Sequence, residues 1–578
     1  MKKARTKAER EKAPQRAAPD GLRPWHYGLA LVAAFLALYA VYGPALSGPF
    51  VLDDSFLPFT AQEYTSAPLV HWMRGLRPLL MLTFWINYRL SGLETFSYHF
   101  LNLLLHLAAG TLCFLMVRKL LERAGESGWR RDSLAAFAGG LFLLHPLQTE
   151  SVSYVASRSE TLSVTLFYAA FTVFLYRRRE QVSWGNALAV LALFAAAVST
   201  KEHTVVLPAL LVLTDYFWNP GFSFQGVRRN WRLYVPLTMA GAFALRMVWN
   251  VVQGSTSAGF SLRDFNWYQY FYTQCRAIWL YIRLFFLPYG QNIDHDFAIS
   301  RTLLAHGAVV GLAALVAAVA AALYYRRRFP LASYGFLAFL VLLAPTSSFV
   351  PIADVAVERR LYLPFFGLLL VVVEFLRRWR AGRGTVLAAL AGVLLGMAYL
   401  TYERNGVWSS PEALWSDSVS KSPQKSRPHF QLAFAYFATG RCAAALPHYE
   451  AAARYDRPSY DVLVDWAMAL ECLSRHDEAT AKLRQVVARW PRAHAYTLMG
   501  WVYSRQGNRE EALKALNTAL YYDPASDSAY AYRGDVYAAA NDLPAAEIDY
   551  RRALTVNPAN EVAQQGLAGI QQRLRGPH

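Results

Sequence analysis

The feature that most constrains this chain is a long succession of apolar segments, many of roughly 15–25 residues, filling the sequence from about residue 27 to residue 400. A helix needs roughly 20 apolar residues to cross a bilayer, because no water is available there to satisfy backbone groups. The runs fall at 27–42, 100–117, 134–144, 162–176, 187–198, 205–217, 233–249, 303–325, 332–344, 361–375 and 386–400, which predicts about eleven spans. Beyond Arg404 the pattern becomes mixed and helical, so the expectation is an all-α chain with two regions adapted to different solvents.

Only 17% of the 578 residues are charged, below the quarter or so usual in soluble domains. The net charge of +18 could suggest nucleic acid, but the basic residues sit in short clusters between spans, and no nucleic-acid partner is expected. These clusters are the N-terminal tail with Lys2 and Lys3, Arg118/Lys119 with Arg130/Arg131, residues 177–179, Arg228/Arg229 with Arg232, residues 326–328, and Arg377/Arg378 with Arg380. With eleven spans all of them share one side, which the positive-inside bias assigns to the cytoplasm. Residues 1–24 then read as a cytoplasmic tail before a retained anchor. Segment 270–288 is apolar but carries Gln274, Arg276 and Arg283, and it reads as an interfacial or re-entrant helix on the outer side; 77–90 reads similarly.

The other side collects unusual polar residues: Asp53 and Asp54, His145 and Glu150 with Arg158 and Glu160, Lys201 and Glu202, Asn292 to Asp296, and Glu358 with Arg359 and Arg360. Acids and histidine held near a bilayer surface usually line a site or a pathway.

After Lys425 the chain repeats itself. Gly500, Ala512, Leu516, Ala519 and Pro524 recur 34 residues later as Gly534, Ala546, Tyr550, Ala553 and Pro558. Copies also begin around Ala467 and, more weakly, Ala433. The period and the small residues resemble tetratricopeptide repeats, helical hairpins that stack into a solenoid, with 561–574 as the capping helix. Domains are therefore expected at 1–24 (tail), 25–404 (membrane body), 405–425 (linker) and 426–578 (about four repeats and a cap). Cys442 begins the second helix of one repeat and Cys472 ends the first helix of the next. Stacking brings these places together, so a disulfide competes with two small buried thiols. The four cysteines have no metal-ligand spacing.

The order of motifs resembles the transmembrane and tetratricopeptide-repeat (TMTC) family of protein O-mannosyltransferases. The residues that carry the resemblance are Phe50 with Asp53 and Asp54; Arg77, Pro78, Thr83, Phe84, Asn87, Gly92, His99, Asn102 and His106; His145 to Glu150, Arg158 and Glu160; Lys201 and Glu202; Arg283 and Pro288; Asp294 and His295; Ala344 to Ser348; Glu358, Arg359 and Tyr362; and Arg404, Asn405 and Trp408. The resemblance covers nearly the whole chain. It implies a polytopic C-type glycosyltransferase fold that moves a sugar from a polyprenyl-phosphate carrier to an exported protein acceptor. The Ala- and Arg-rich composition suggests a bacterial member in the inner membrane, with the active site and repeats extracytoplasmic.

Such a transfer needs one base for the acceptor hydroxyl and cationic or hydrogen-bonding partners for the departing phosphate. Direct displacement would invert the anomeric centre, by analogy with inverting hydrolases. The base is assigned first to Asp54 and next to Asp53; a solvated Asp pair ending a helix is the plainer use. Arg158 and Lys201 are candidate phosphate contacts, with His145 and Glu150 orienting sugar or acceptor beside Glu160 and Glu202. Each also fits a local cap, ion pair or topology marker. Arg276 and Arg283 share a helical face, for lipid headgroups or the carrier phosphate. Glu358, Arg359 and Tyr362 could cover the site. Asp294, His295 and Asp296 are candidate ligands for a divalent cation, without diagnostic spacing. His99, Asn102 and His106 suit interhelical hydrogen bonds. The competing function is a non-enzymatic, membrane-anchored repeat scaffold for envelope proteins; transfer of an oligosaccharide by a related fold is a third.

Overall fold

The computed structural model describes residues 24–75, 77–255 and 257–575, and among them all regular structure is helical apart from an isolated bridge between Ala258 and Ile352. Nearly all of the expected basic tail lies outside the described residues. The chain divides into two compact units, Met1–Ala413 and Leu414–His578. The expected linker at 405–425 is itself mostly helical: Arg383–Val407 runs on past Arg404, and Pro411–Lys421 follows it.

The contacts of the first unit sort its connections into two ends. At one end the basic clusters meet. Arg118 and Arg131 both hold Asp132, Arg177 holds Asp215, Arg123 donates to the Leu175 carbonyl and Arg377 to the Ala124 carbonyl. Arg130 and Arg378 reach the carbonyls of Trp379 and Arg328. At the other end the acidic loops meet, through pairs such as Lys201–Glu160, Arg77–Glu202 and Arg359–Glu150. Helices pass between these ends in alternating directions. Thr95–Arg123 carries His99 near one end and Arg118 near the other, and Arg158–Leu175 runs back from Glu160 toward Arg177. Among the described residues, five helices are long and apolar enough to cross a membrane by length and composition: Trp25–Ala45, Thr95–Arg123, Trp231–Gly254, Ala305–Tyr324 and Arg383–Val407. Shorter apolar helices such as Trp184–Val198 and Pro330–Leu343 lie among them.

Small residues let some of these helices pack backbone to backbone. A Cβ on Gly335 would stand 2.4 Å from the Gly367 carbonyl oxygen, so Pro330–Leu343 and Phe365–Arg378 touch where neither has a side chain. The helix Trp267–Phe286 stays with the acidic end along its whole length. Its Tyr270 hydroxyl donates to the Thr346 carbonyl, Gln274 to the Val355 carbonyl, and its Tyr281 hydroxyl accepts the Val357 N–H. These bonds hold the helix against the segments that carry Thr346, Val355 and Val357.

The second unit holds four helical hairpins: Ser426–Ala438 with Cys442–Tyr455, Tyr460–Cys472 with His476–Arg489, Ala493–Arg505 with Arg509–Tyr522, and Asp527–Ala539 with Leu543–Val556. Glu561–Arg575 caps them. The repeated small residues are needed where they stand. A Cβ on Gly500 would lie 2.5 Å from Leu516 and one on Gly534 2.7 Å from Tyr550, each across its own hairpin. Cys442 and Cys472 are joined, tying the first hairpin to the second over a separation of 30 residues, while Cys113 and Cys275 are free and buried in the other unit. Cross-linking a loop of this length restricts the unfolded chain by about 3–4 kcal/mol in the chain-entropy account. Replacing both Cys442 and Cys472 by Ala is therefore expected to lower the stability of the repeat unit by up to that amount, read as a drop in its denaturation midpoint without loss of helical circular dichroism before the transition.

Candidate active site

The first loop leaves its helix, Pro24–Tyr42, and its two adjacent acids fall in a tight turn at Leu52–Phe56. The two acidic residues of that turn part company. Asp54 is fully buried: one carboxylate oxygen accepts the Val51 N–H at 3.0 Å and the other the Ala156 N–H at 2.7 Å. It ties the first loop to the connection between the helices Gly128–Leu144 and Arg158–Leu175. Burial pushes its carboxyl up to about 7, against those two donors, with the charge of Asp53 adding to the rise. Asp53 is exposed, and its backbone N–H donates to the Tyr154 hydroxyl at 2.9 Å. Asp54, the first choice as base, has one backbone N–H on each oxygen and no solvent contact, whereas Asp53, the second choice, is open to solvent.

Beside Tyr154 lies a band of charge. The Arg359 guanidinium stands 5.8 Å from the Tyr154 ring centroid and donates to Glu150 at 2.5 Å, while the Arg359 N–H donates to the other Glu150 oxygen at 3.0 Å. Burial works against the Arg359 charge, yet Glu150 and Tyr154 more than offset it and hold the guanidinium above its ordinary pKa. Lys201 donates to Glu160 at 2.5 Å and to Ser159 at 3.2 Å, and burial lowers its pKa despite Glu160. Arg77 makes a two-pronged pair with Glu202 at 2.9 and 2.8 Å. The side chains of Arg77, Lys201 and Arg359 keep 38%, 19% and 23% of their surface open, so the band presents cations to solvent and largely buries their acids. His203 closes on Glu160 at 3.4 Å.

Several expected site residues serve the frame instead. Arg158 is fully buried: it donates to the Asn102 side chain at 2.9 Å, to the Tyr98 carbonyl at 3.0 Å and to Thr83 at 3.4 Å, with its guanidinium 4.4 Å from the Phe84 ring centroid. It has no face left for a phosphate. His145 is buried and neutral, its pKa lowered to about 4 by burial; Nδ1 accepts the Leu147 N–H and Nε2 donates to the Phe285 carbonyl. Tyr362 is buried against His106, whose Nδ1 lies 2.8 Å from its hydroxyl. Glu358 accepts from Gln291, from the Asn292 N–H and from His295, and so fixes the loop that follows the helix Trp267–Phe286. Arg276 donates to the Ala298 carbonyl and Arg283 to the Tyr289 carbonyl, both pinning that loop. His295, one of the three possible metal ligands with Asp294 and Asp296, is bonded to Glu358, and among the described residues no group of three or more His, Cys, Asp or Glu that could hold a metal ion is found. The polar stripe of Thr95–Arg123 does work between helices and loops: His99 donates to the Gly48 carbonyl, Asn102 to the carbonyls of Val152 and Tyr154, and His106 to that of Leu143. Sequence reasoning missed Arg77 and Tyr154 as site residues. Arg77 was visible as a cation opening an outer helix; Tyr154 carries no local signal.

A largely apolar helical body with a charged band at one end, in a chain ending in helical hairpins, defines a polytopic membrane protein with a tetratricopeptide tail. The tetratricopeptide-repeat family profile matches residues 430–494 and 497–561. Over most of its length the chain is similar to curated proteins named as protein O-mannosyl-transferases. It is 26% identical to F38B6.6 of Caenorhabditis elegans over 73% of this chain and 61% of that protein, and 24% identical to TMTC1 of Homo sapiens over 76% and 56%. A solved thermophilic tetratricopeptide-repeat protein, TTC0263 of Thermus thermophilus, matches 32% of this chain and 96% of its own at 20% identity and a TM-score of 0.26. The chain thus spans about 60% of the length of the curated relatives that it matches (61% and 56% for these two).

Two outcomes follow from this geometry. Arg158→Ala leaves Asn102 and the Tyr98 carbonyl unmatched in a buried place and should cost about 3 kcal/mol or more, whereas Arg77→Ala, at a half-open pair, should cost less than about 1 kcal/mol; thermal unfolding in detergent measures both. An unfolded Asp titrates near about 3.9 and folded Asp54 near about 7, so between these values the folded state holds the extra proton and stability from this group rises as pH falls from about 8 to about 5. Asp54→Asn should remove that part of the pH dependence of the unfolding midpoint.

Proposed function

We propose that this chain is a membrane glycosyltransferase that moves a mannose-like sugar from a polyprenyl-phosphate carrier to hydroxyl groups of an exported protein acceptor. The observation that carries the reading is an exposed carboxylate, Asp53, separated by one buried tyrosine from a band of partly open cations. That is the pair of groups the transfer needs. The acceptor oxygen attacks the anomeric carbon while its proton passes to Asp53. The bond from that carbon to the phosphate oxygen breaks, and the polyprenyl phosphate leaves as an anion stabilised by Arg359, Lys201 and Arg77. A single displacement of this kind inverts the anomeric centre.

In this reading the charged end faces away from the cytoplasm, as the positive-inside bias of the opposite end supports. The repeats hold the acceptor in the same compartment, and an inner-membrane bacterial setting fits the composition. The names of the relatives support the sugar and the protein acceptor, and the carrier is inferred from the place of the cations at the end of an apolar body.

The test is transfer by the purified full chain in liposomes, with polyprenyl-phosphate mannose and a Ser/Thr-containing peptide. Asp53→Asn should reduce kcat by about 10²–10⁴-fold, a larger loss than that in Asp54→Asn, which only replaces one of the two oxygens that accept the Val51 and Ala156 N–H groups by an amide that cannot accept. Transfer by Asp53→Asn at the wild-type rate would overturn the base. An inert wild-type chain that still binds exported proteins would favour the scaffold.

A further inference from the structure

Tyr154 is buried, at 2% exposure, and links three parts of the site. Its hydroxyl accepts the Asp53 N–H, its ring lies beneath Arg359, and its other side stacks on Trp408, with centroids 6.2 Å apart at 25°. Trp408 immediately follows the last long helix of the membrane body, Arg383–Val407. The same turn grips the neighbouring backbone. Ser153 donates to the Asn405 side chain at 2.6 Å, and Asn405 donates to the Val41 carbonyl at 3.1 Å. Gly48 lies so close that a Cβ there would stand 2.8 Å from the Trp408 carbonyl oxygen. The first loop is thus held at its start, around Val41 and Gly48, and through Tyr154 at its acidic turn, by residues 405–408.

That turn needs holding. Leu52, just before Asp53, has a φ of +52°, a left-handed conformation that costs a branched side chain of this kind about 1–2 kcal/mol. Without the bond from the Asp53 N–H to Tyr154, the turn has less to keep Leu52 strained and is free to relax, carrying the Asp53 carboxylate with it.

We infer that Tyr154 is a positioning residue for Asp53, and that the exit turn at 405–408 sets Tyr154, so the geometry of the base depends on how the chain leaves the membrane body. The role given to Asp53 rests on the proposed function; the mechanical link does not. Two readouts therefore separate them. Hydrogen–deuterium exchange of the full chain, followed in a peptide covering residues 51–57, reads the link whether or not transfer occurs. Tyr154→Phe keeps the ring on Trp408 and should speed exchange at Asp53 by about fivefold or more, the loss expected for one hydrogen bond. Trp408→Ala should act in the same direction and Trp408→Phe should restore slow exchange. Where the wild-type chain transfers sugar, Tyr154→Phe should also lower kcat by about 10–100-fold with the donor KM within about twofold, since misplacing a base acts on the chemical step. Wild-type exchange in Tyr154→Phe overturns the positioning role, and wild-type exchange in Trp408→Ala overturns the part given to the exit turn. Faster exchange in a chain with no transfer overturns the proposed function and leaves the link standing.

Discussion

The arrangement of the charged end depends on one buried cation. Arg158 sits with no exposed surface at the start of its helix, and a buried charge of this kind is tolerated only when its hydrogen-bonding capacity is used. Its guanidinium spans Asn102, the Tyr98 carbonyl and Thr83, with the Phe84 ring on one face. Asn102 in turn holds the carbonyls of Val152 and Tyr154. The loop that carries Glu150 and Tyr154 is thereby fixed to a long helix of the body, and Tyr154 and Ala156 then receive Asp53 and Asp54. The order of dependence runs from a buried arginine to a structured loop to an exposed carboxylate.

Much of this was legible in the sequence and some of it was not, for physical reasons. Helices and hairpins are set by periodicity that any short window shows, so the apolar runs, the four repeats and the cap could be read directly. The apolar run 270–288 with Gln274, Arg276 and Arg283 inside it is indeed one helix, Trp267–Phe286. What the sequence could not tell was which charged groups end up buried. Asp53 and Asp54 are identical in type and adjacent, yet one is exposed and the other is closed off by an N–H from a residue 102 positions away. Arg158 and Lys201 both looked like phosphate ligands; three polar partners from other segments consume the first, while the second keeps part of its surface. Burial is decided by distant segments, and local pattern carries no record of it.

The repeat unit adds one chemical fact. Cys442 and Cys472 are joined, and disulfides persist mostly in oxidising compartments. In the proposed reading this agrees with the basic clusters at the opposite end from the acids, because both favour repeats and catalytic groups outside the cytoplasm. The two arguments share no residues and rest on different physics, redox chemistry in one case and membrane insertion in the other.

The central claim is that this chain modifies exported proteins. It is tested most directly by mass spectrometry of the exported proteins of cells that carry the intact gene, lack it, or carry it with Asp53→Asn. The account predicts hexose on Ser or Thr peptides in the first cells and its loss from the other two, with the Asp53→Asn chain present in the membrane at normal levels. Identical glycopeptides in all three would contradict it.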